Sequence, residues 1–292
     1  MTYKEALIIG SAGMVGQAFS KVLKAKNINV ITVARNNAEY CLDLNNLIQL
    51  PKIIKDSKVD LVINCAAIVS LQQCEENPIL AKKINSDLVD VIGKSCWDYE
   101  KKFIQISTDH FYTDDKKKLH KESDEIKILN QYAKTKRLGE INALKNKDSL
   151  IIRTNVTGYR GNKLKPTFFE WLYFSLVRNL SISLFNDFYT STIDSISLAN
   201  YVIHSCEKDI TGLINIASSE CISKMDFALS LAKYLSINFD FYKESSVKGL
   251  RPQRAESLGL DCSKAELILN TKMPNTDEVI KNLVRSFEIK QN

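Results

Sequence analysis

Leu7-Ile8-Ile9 runs directly into Gly10-Ser11-Ala12-Gly13-Met14-Val15-Gly16, and an amphipathic stretch follows. No other feature restricts the fold as tightly. A short, continuously apolar run reads as a strand covered on both faces, and apolar residues at helical spacing read as a helix. The three glycines between them have separate mechanical uses. Gly10 permits a tight turn, Gly13 lets the backbone approach a diphosphate, and Gly16 lets the helix pack closely on the sheet. The helix N-terminus then presents unpaired N–H groups and a partial positive charge. Gly10, Ala12, Gly13, Met14 and Val15 are the expected dinucleotide cradle.

The same alternation continues through the first half. Ala6–Ile9, Asn29–Ala34, Leu61–Cys65, Phe103–Ser107 and Leu150–Arg153 read as buried strands. Val15–Lys26, Leu47–Lys55, Ile79–Tyr99 and Gln131–Leu144 read as helices with charged outer faces. Strand alternating with helix implies right-handed crossovers and an α/β, Rossmann-type doubly wound parallel sheet. Beyond Gly158 the regularity fades. Phe168–Val177 and Ser223–Leu235 still read as helices, and Ile182–Phe185 and Leu213–Ala217 as short strands. The expectation is a cofactor-binding domain over 1–158 and a smaller mixed α/β substrate lobe over 159–292, with some segments crossing back.

Composition narrows the partners. Lys and Arg total 40 against 34 Asp and Glu, a dispersed net charge of +6 that gives no nucleic-acid footprint. The one basic run, Lys116–Lys118, lies among Asp114, Asp115, Glu122, Asp124 and Glu125 and reads as a solvated loop. No stretch reaches the roughly 20 apolar residues of a membrane span. The start, Met1–Glu5, lacks the order of a signal peptide, so a cytoplasmic location is expected. Seven cysteines occur without a CxxC pair, which argues against both a metal site and a disulfide framework.

The second strand ends in Val33-Ala34-Arg35-Asn36-Asn37, with no acid before Glu39. A carboxylate there would pair with a ribose 2′-hydroxyl, whereas Arg35 suits a 2′-phosphate. NADP(H) is therefore the expected cofactor, with NAD(H) left open. Asp43 and Leu44 fall where an adenine edge would lie. Ser107-Thr108-Asp109 puts hydroxyls at the carboxyl edge of a parallel strand. Tyr132 and Lys136, four residues apart, share one helical face. A nearby ammonium lowers a phenol's pKa from about 10, which suits proton transfer at a carbonyl oxygen.

These segments together resemble the extended short-chain dehydrogenase/reductases, and within them the dTDP-4-dehydrorhamnose reductase group. The resemblance is carried by GSAGMVG (10–16), INCAAI (63–68), ISTDHFY (106–112), NQYAKTKRLGE (130–140), IIRTNVTG (151–158) and RPQRAESLGLDCSK (251–264), in the family's order. It implies a catalytic Thr108, Tyr132 and Lys136, with Tyr132 and Lys136 also touching the cofactor. It implies that Cys65, Ala66 and Ala67 lie beside the cofactor and that Asn85 braces the sheet below. Ser70, Asp109, Asn155 and Arg251 fall at substrate-side positions. The implied reaction is NADPH-dependent reduction of a nucleotide-linked 4-keto-6-deoxy sugar in surface-polysaccharide synthesis. The nucleotide-diphosphate sugar is the expected partner, and the oligomeric state stays open, a homodimer included.

The chain also departs from the group. Val69 and Leu71-Gln72 stand where a Thr and a Val-Asp pair are usual, His110-Phe111 replaces Tyr-Val, and a Trp is lost near Val156. The sugar pocket is thus expected to differ while the proton-transfer residues persist. An epimerase or dehydratase is the rival reading, although Asp109-His110 lacks the dehydratases' Asp-Glu pair. A non-catalytic NADP(H)-binding regulatory subunit is the other, against which stand the intact Tyr132 and Lys136. Phe168, Phe169, Trp171, Tyr173 and Phe174 form an aromatic stripe suited to packing more than to nucleobase stacking. Phe185–Ile193, with Asp187, Tyr189 and Thr192, resembles a segment lining the sugar site.

Overall fold

The computed structural model describes residues 3–112 and 117–291. Asp114, Asp115 and Lys116 of the basic loop lie outside the described residues, as does Met1. In chain order the first elements are β1 (Glu5–Ile9), α1 (Met14–Ala25), β2 (Asn29–Ala34), β3 (Tyr40–Cys41), α2 (Gln49–Asp56) and β4 (Leu61–Asn64). Next come α3 (Leu71–Glu76), α4 (Pro78–Lys82), a π-helical turn (Lys83–Asp87), α5 (Leu88–Asp98), β5 (Lys102–Ile106) and β6 (Leu119–His120). They are followed by α6 (Gln131–Ala143), β7 (Leu150–Arg153), β8 (Asn155–Thr157), α7 (Phe168–Val177), β9 (Ile182–Phe185), β10 (Tyr189–Thr190) and β11 (Thr192–Asp194). The last are α8 (Ser195–Glu207), β12 (Gly212–Asn215), β13 (Ile222–Ser223), α9 (Lys224–Tyr234), β14 (Tyr242–Ser245), β15 (Ser257–Leu260), α10 (Ser263–Leu269) and α11 (Thr276–Gln291).

Two compact units share these elements. Unit 1 comprises 1–108, 128–153 and 199–214; unit 2 comprises 109–127, 154–198 and 215–292. The chain passes between them several times, once inside α8.

Unit 1 is built on a seven-stranded sheet ordered β12-β7-β5-β4-β1-β2-β3, with β1 through β5 and β7 paired in parallel. Every residue of β4, β5 and β7 is buried, as expected of parallel strands covered on both faces. Leu7, Ile9, Val33, Val62, Phe103 and Ile151 form one core with Leu50 and Ile54 of α2 and Leu88, Val89 and Ile92 of α5. Strand order reverses at β1, flanked by β2 and β4, which is the switch point where such sheets bind ligands beyond their carboxyl ends.

The amphipathic run read as one helix over Ile79–Tyr99 is interrupted by the π turn. Its cause is tertiary. The turn brings Asn85 O against α6 at Gly139, where a Cβ would lie 2.2 Å from that oxygen. Any larger residue at 139 would push α6 away. Asn85 itself, 1% exposed, accepts from Ile68 N at 2.8 Å and donates to Ile68 O at 3.0 Å and Thr135 Oγ1 at 3.1 Å. It thereby ties the segment after β4 to α6.

Unit 2 carries a four-stranded sheet ordered β13-β10-β15-β6 and two parallel pairs, β8 with β11 and β9 with β14. Its strands are two to four residues long and come from distant segments. Helix α7 starts at a capping box in which Thr167 and Glu170 satisfy each other's backbone N–H groups. Of its aromatic stripe, Phe169, Tyr173 and Phe174 surround Phe287 of α11 at ring distances of 5.9, 4.6 and 5.8 Å, while Trp171 is exposed.

Candidate active site

Unit 1 aligns its chemistry by register. Ile9 stands opposite both Val33 and Asn64, and Ile106 opposite Ile152. The residues that follow, Gly10, Cys65 and Ser107, therefore all emerge at the same sheet edge. Backbone bonds fix their exits: Gly10 N to Val33 O at 2.8 Å, Cys65 N to Ile9 O at 2.8 Å, and Ser107 N to Ile152 O at 2.7 Å. Gly10 has φ +83°, and a Cβ there would sit 2.7 Å from Ala66 N, so the first turn and the Cys65–Ala67 segment touch through a glycine. Gly16 meets the Gly10–Ser11 backbone of the turn itself, whereas a Cβ on Gly13 would meet only Gly10 O at 3.2 Å. Gly13 is also the N-cap of α1, and no side chain caps it.

Arg35 follows β2 and is exposed. Asp43 is exposed too, but its carboxylate accepts from Asn45 N at 3.0 Å in a local turn, while Leu44 packs against the sheet core. Ser70 caps α3, its hydroxyl accepting from Gln73 N.

Asn130 caps α6 by accepting from Ala133 N at 2.8 Å, which places Tyr132 and Lys136 one turn apart in its first turns. Tyr132 is 8% exposed and lies against Leu71, Cys74 and Ala81. Thr108, the last residue of unit 1's first segment, is 4% exposed. Lys136 donates to Ile106 O at 2.7 Å, which aims the ammonium at the end of β5. Burial lowers its pKa to about 8 from 10.5, opposed by the carboxylate of Glu140. The free enzyme should thus lose the Lys136 charge as pH rises through about 8. If that charge supports proton transfer, kcat/KM should fall on the basic side with an apparent pKa near 8. A profile flat to pH 10 would exclude the role.

Glu140 was missed by sequence reasoning, although it stands in the GE that follows the Tyr-Lys pair. It is wholly buried and grips Arg153 through two bonds of 2.9 Å, receives Ser107 Oγ at 2.7 Å, and takes Arg137 at 2.8 Å. The ends of β5 and β7 are thereby locked to α6.

Unit 2 gathers a second polar cluster. Asp109, 1% exposed, accepts from Asn155 Nδ2 at 2.7 Å. Asn155 Oδ1 accepts from Thr192 Oγ1 at 2.8 Å and from Lys224 Nζ at 3.4 Å. Neither Lys224 nor Arg254 was singled out from sequence. Burial and the charges of Arg254 and Lys224 hold the His110 pKa down to about 4, so His110 is neutral near pH 7. Arg251, in contrast, is exposed. Asp187 ties the loop between β9 and β10 to the segment after β14 by accepting from Ser246 Oγ and from Val247 N. Among the described residues no cluster of His, Cys, Asp and Glu could hold a metal ion, and all seven cysteines are free. No helix of the described residues is long and apolar enough to cross a membrane.

The model of the RmlD substrate binding domain matches residues 4–289. The chain belongs to that family. It is an oxidoreductase fold of the extended short-chain dehydrogenase/reductase type, as its sequence motifs suggested. A probable low-salt glycan biosynthesis reductase of Haloferax volcanii is 24% identical over 97% of this chain and 98% of its own. The solved hypothetical dTDP-4-dehydrorhamnose reductase of Sulfolobus tokodaii is 30% identical, with a TM-score of 0.83 over 93% of this chain and 97% of its own. The dTDP-4-dehydrorhamnose reductase of Bacillus anthracis, solved in complex with NADP, shares the fold at TM-score 0.88 and 19% identity, covering 98% of this chain and all of its own.

Proposed function

We propose that this chain uses NADPH to reduce the 4-keto group of a nucleotide-linked 4-keto-6-deoxy sugar destined for a surface polysaccharide. The observation that carries the reading is the buried Tyr132–Lys136 pair on α6, with Lys136 bonded to the end of β5. It gains support from the family's reductases, one of them solved with NADP.

The residues of unit 1 fit the cofactor. Gly13 leaves the mouth of the turn clear of side chain, the uncapped start of α1 offers N–H groups to phosphate, and no acid stands beside Arg35 to repel a 2′-phosphate. Gly10, Ala12, Gly13, Met14 and Val15 would hold the diphosphate, Arg35 the 2′-phosphate, and Cys65–Ala67 would flank the nicotinamide side. Asp43 and Leu44 would border the adenine. NADPH supplies a hydride. Tyr132 gives its phenolic proton to the sugar oxygen, Lys136 favours the phenolate that remains, and Thr108 orients that oxygen by a hydrogen bond. Ser70, Asp109, Asn155 and Arg251 would contact the substrate.

The test is purified protein with NADPH and dTDP-, GDP-, UDP- and CDP-linked 4-keto sugars. Oxidation of NADPH with one of them, with loss of its 4-keto group, is the expected result. Epimerised sugar without net NADPH consumption would establish the epimerase reading instead. Tight NADPH binding without any turnover would point to a sensor. Arg35→Ala should raise KM for NADPH about tenfold or more and leave KM for NADH nearly unchanged, since only one cofactor carries the 2′-phosphate. Equal effects on both would remove Arg35 from that role.

A further inference from the structure

Asn155 and Thr192 face each other by register on the parallel pair β8 and β11. Lys224 arrives from a third place, the first residue of α9, within the Ser223–Asp226 capping box. A cation at a helix N-terminus opposes the helix dipole, so local preference does not account for it. Its surroundings do. Lys224 Nζ donates to Thr192 Oγ1 at 2.9 Å and to Asn155 Oδ1 at 3.4 Å, and it lies 4.7 Å from the ring centre of Phe168 and 6.0 Å from that of Phe188.

This arrangement decides which way the Asn155 amide points. Its oxygen receives the Thr192 hydroxyl and the Lys224 ammonium, while one N–H is given to the Asp109 carboxylate. Turning the amide over would set its NH₂ against an ammonium and its oxygen against a carboxylate. Both contacts would become repulsive. Lys224 and Asp109 therefore hold the amide from opposite ends, and the second N–H of Asn155 stays outside these bonds.

We propose that Lys224 is a positioning residue for the nucleotide sugar, fixing Asn155 as a one-sided donor to an acceptor oxygen of that substrate. The inference rests on the proposed function for the identity of the ligand. It makes Asn155 blind to donor groups, because its oxygen is already committed.

A double-mutant cycle reads the coupling. Lys224→Met should raise KM for the reducible nucleotide sugar about tenfold, with kcat changed less than about threefold and KM for NADPH unchanged. In an Asn155→Ala background the same substitution should change KM less than about twofold, because the group it orients is gone. Lys224→Arg, which keeps charge and donors, should recover most of the loss and covers the case in which the Met variant folds poorly. Additive effects, or an unchanged KM in Lys224→Met, would overturn the proposal. Calorimetry with dTDP-glucose, GDP-mannose, UDP-glucose and CDP-glucose separates it from the reductase reading. Wild type that binds one of these yet reduces no 4-keto sugar defeats the reaction, and the cycle measured in Kd then decides the role of Lys224. Wild type that binds none defeats both.

Discussion

Tyr132→Phe is expected to cut turnover by roughly 10²–10⁴-fold, the range attributed to a positioned proton donor, while NADPH affinity stays within about twofold of wild type. The substitution removes one oxygen and keeps the ring that packs against Leu71, Cys74 and Ala81. Turnover with the selected 4-keto sugar and fluorescence titration of NADPH measure the two halves. Thr108→Val should lose less, because the proposed role of Thr108 is to orient the oxygen without supplying the proton. If Tyr132→Phe retains activity, proton donation by the phenol is wrong and another acid must serve.

Glu140→Ala should be the most damaging stability change in unit 1. It strips a carboxylate from Arg153, which is 1% exposed, and from Ser107 and Arg137 at once. Leaving a buried guanidinium without its partner costs about 3–5 kcal/mol, a large share of the roughly 5–15 kcal/mol that holds a typical domain folded. A fall in Tm on the order of 10–15 °C is expected for a domain this large. Glu140→Leu combined with Arg153→Leu should cost less than Glu140→Ala alone, because no buried charge remains. If the single change is as mild as the double, the pair is not acting as a buried ion pair. Glu140→Gln adds a functional readout. The Glu140 charge opposes the drop in the Lys136 pKa, so its removal should move the basic limb of the rate profile below about 8.

Much of unit 1 was legible because its signals are local. The strands are continuous Ile- and Val-rich runs, and Gly10–Gly16 encodes its turn through backbone conformations and approaches that other residues resist. The spacing of Tyr132 and Lys136 needs only a helix to give them a common face. The break at Lys83–Asp87 was illegible because the apolar spacing runs on across it; only Gly139 on another helix reveals why the backbone widens there. Helices α8 and α11 were not read from the sequence. Ser195–Glu207 mixes serines with β-branched residues, which suit strand as well as helix, and packing settles the matter. The strands of unit 2 are too short to show a period, and partners such as β10 and β15 are far apart in the chain.

The candidate site divides along the same line. By itself the sequence determined the glycine turn between β1 and α1, Arg35 in place of an acid, and the shared helical face of Tyr132 and Lys136, since each depends on neighbours within a few residues. Only the tertiary structure decided that Glu140 is the buried counter-charge of Arg153, that Lys136 is desolvated enough to titrate near 8, and that Lys224 faces Asn155. Those are consequences of burial and of charges drawn together from remote segments. No local pattern records them, because a side chain's desolvation and its partners exist only once the chain has closed around it.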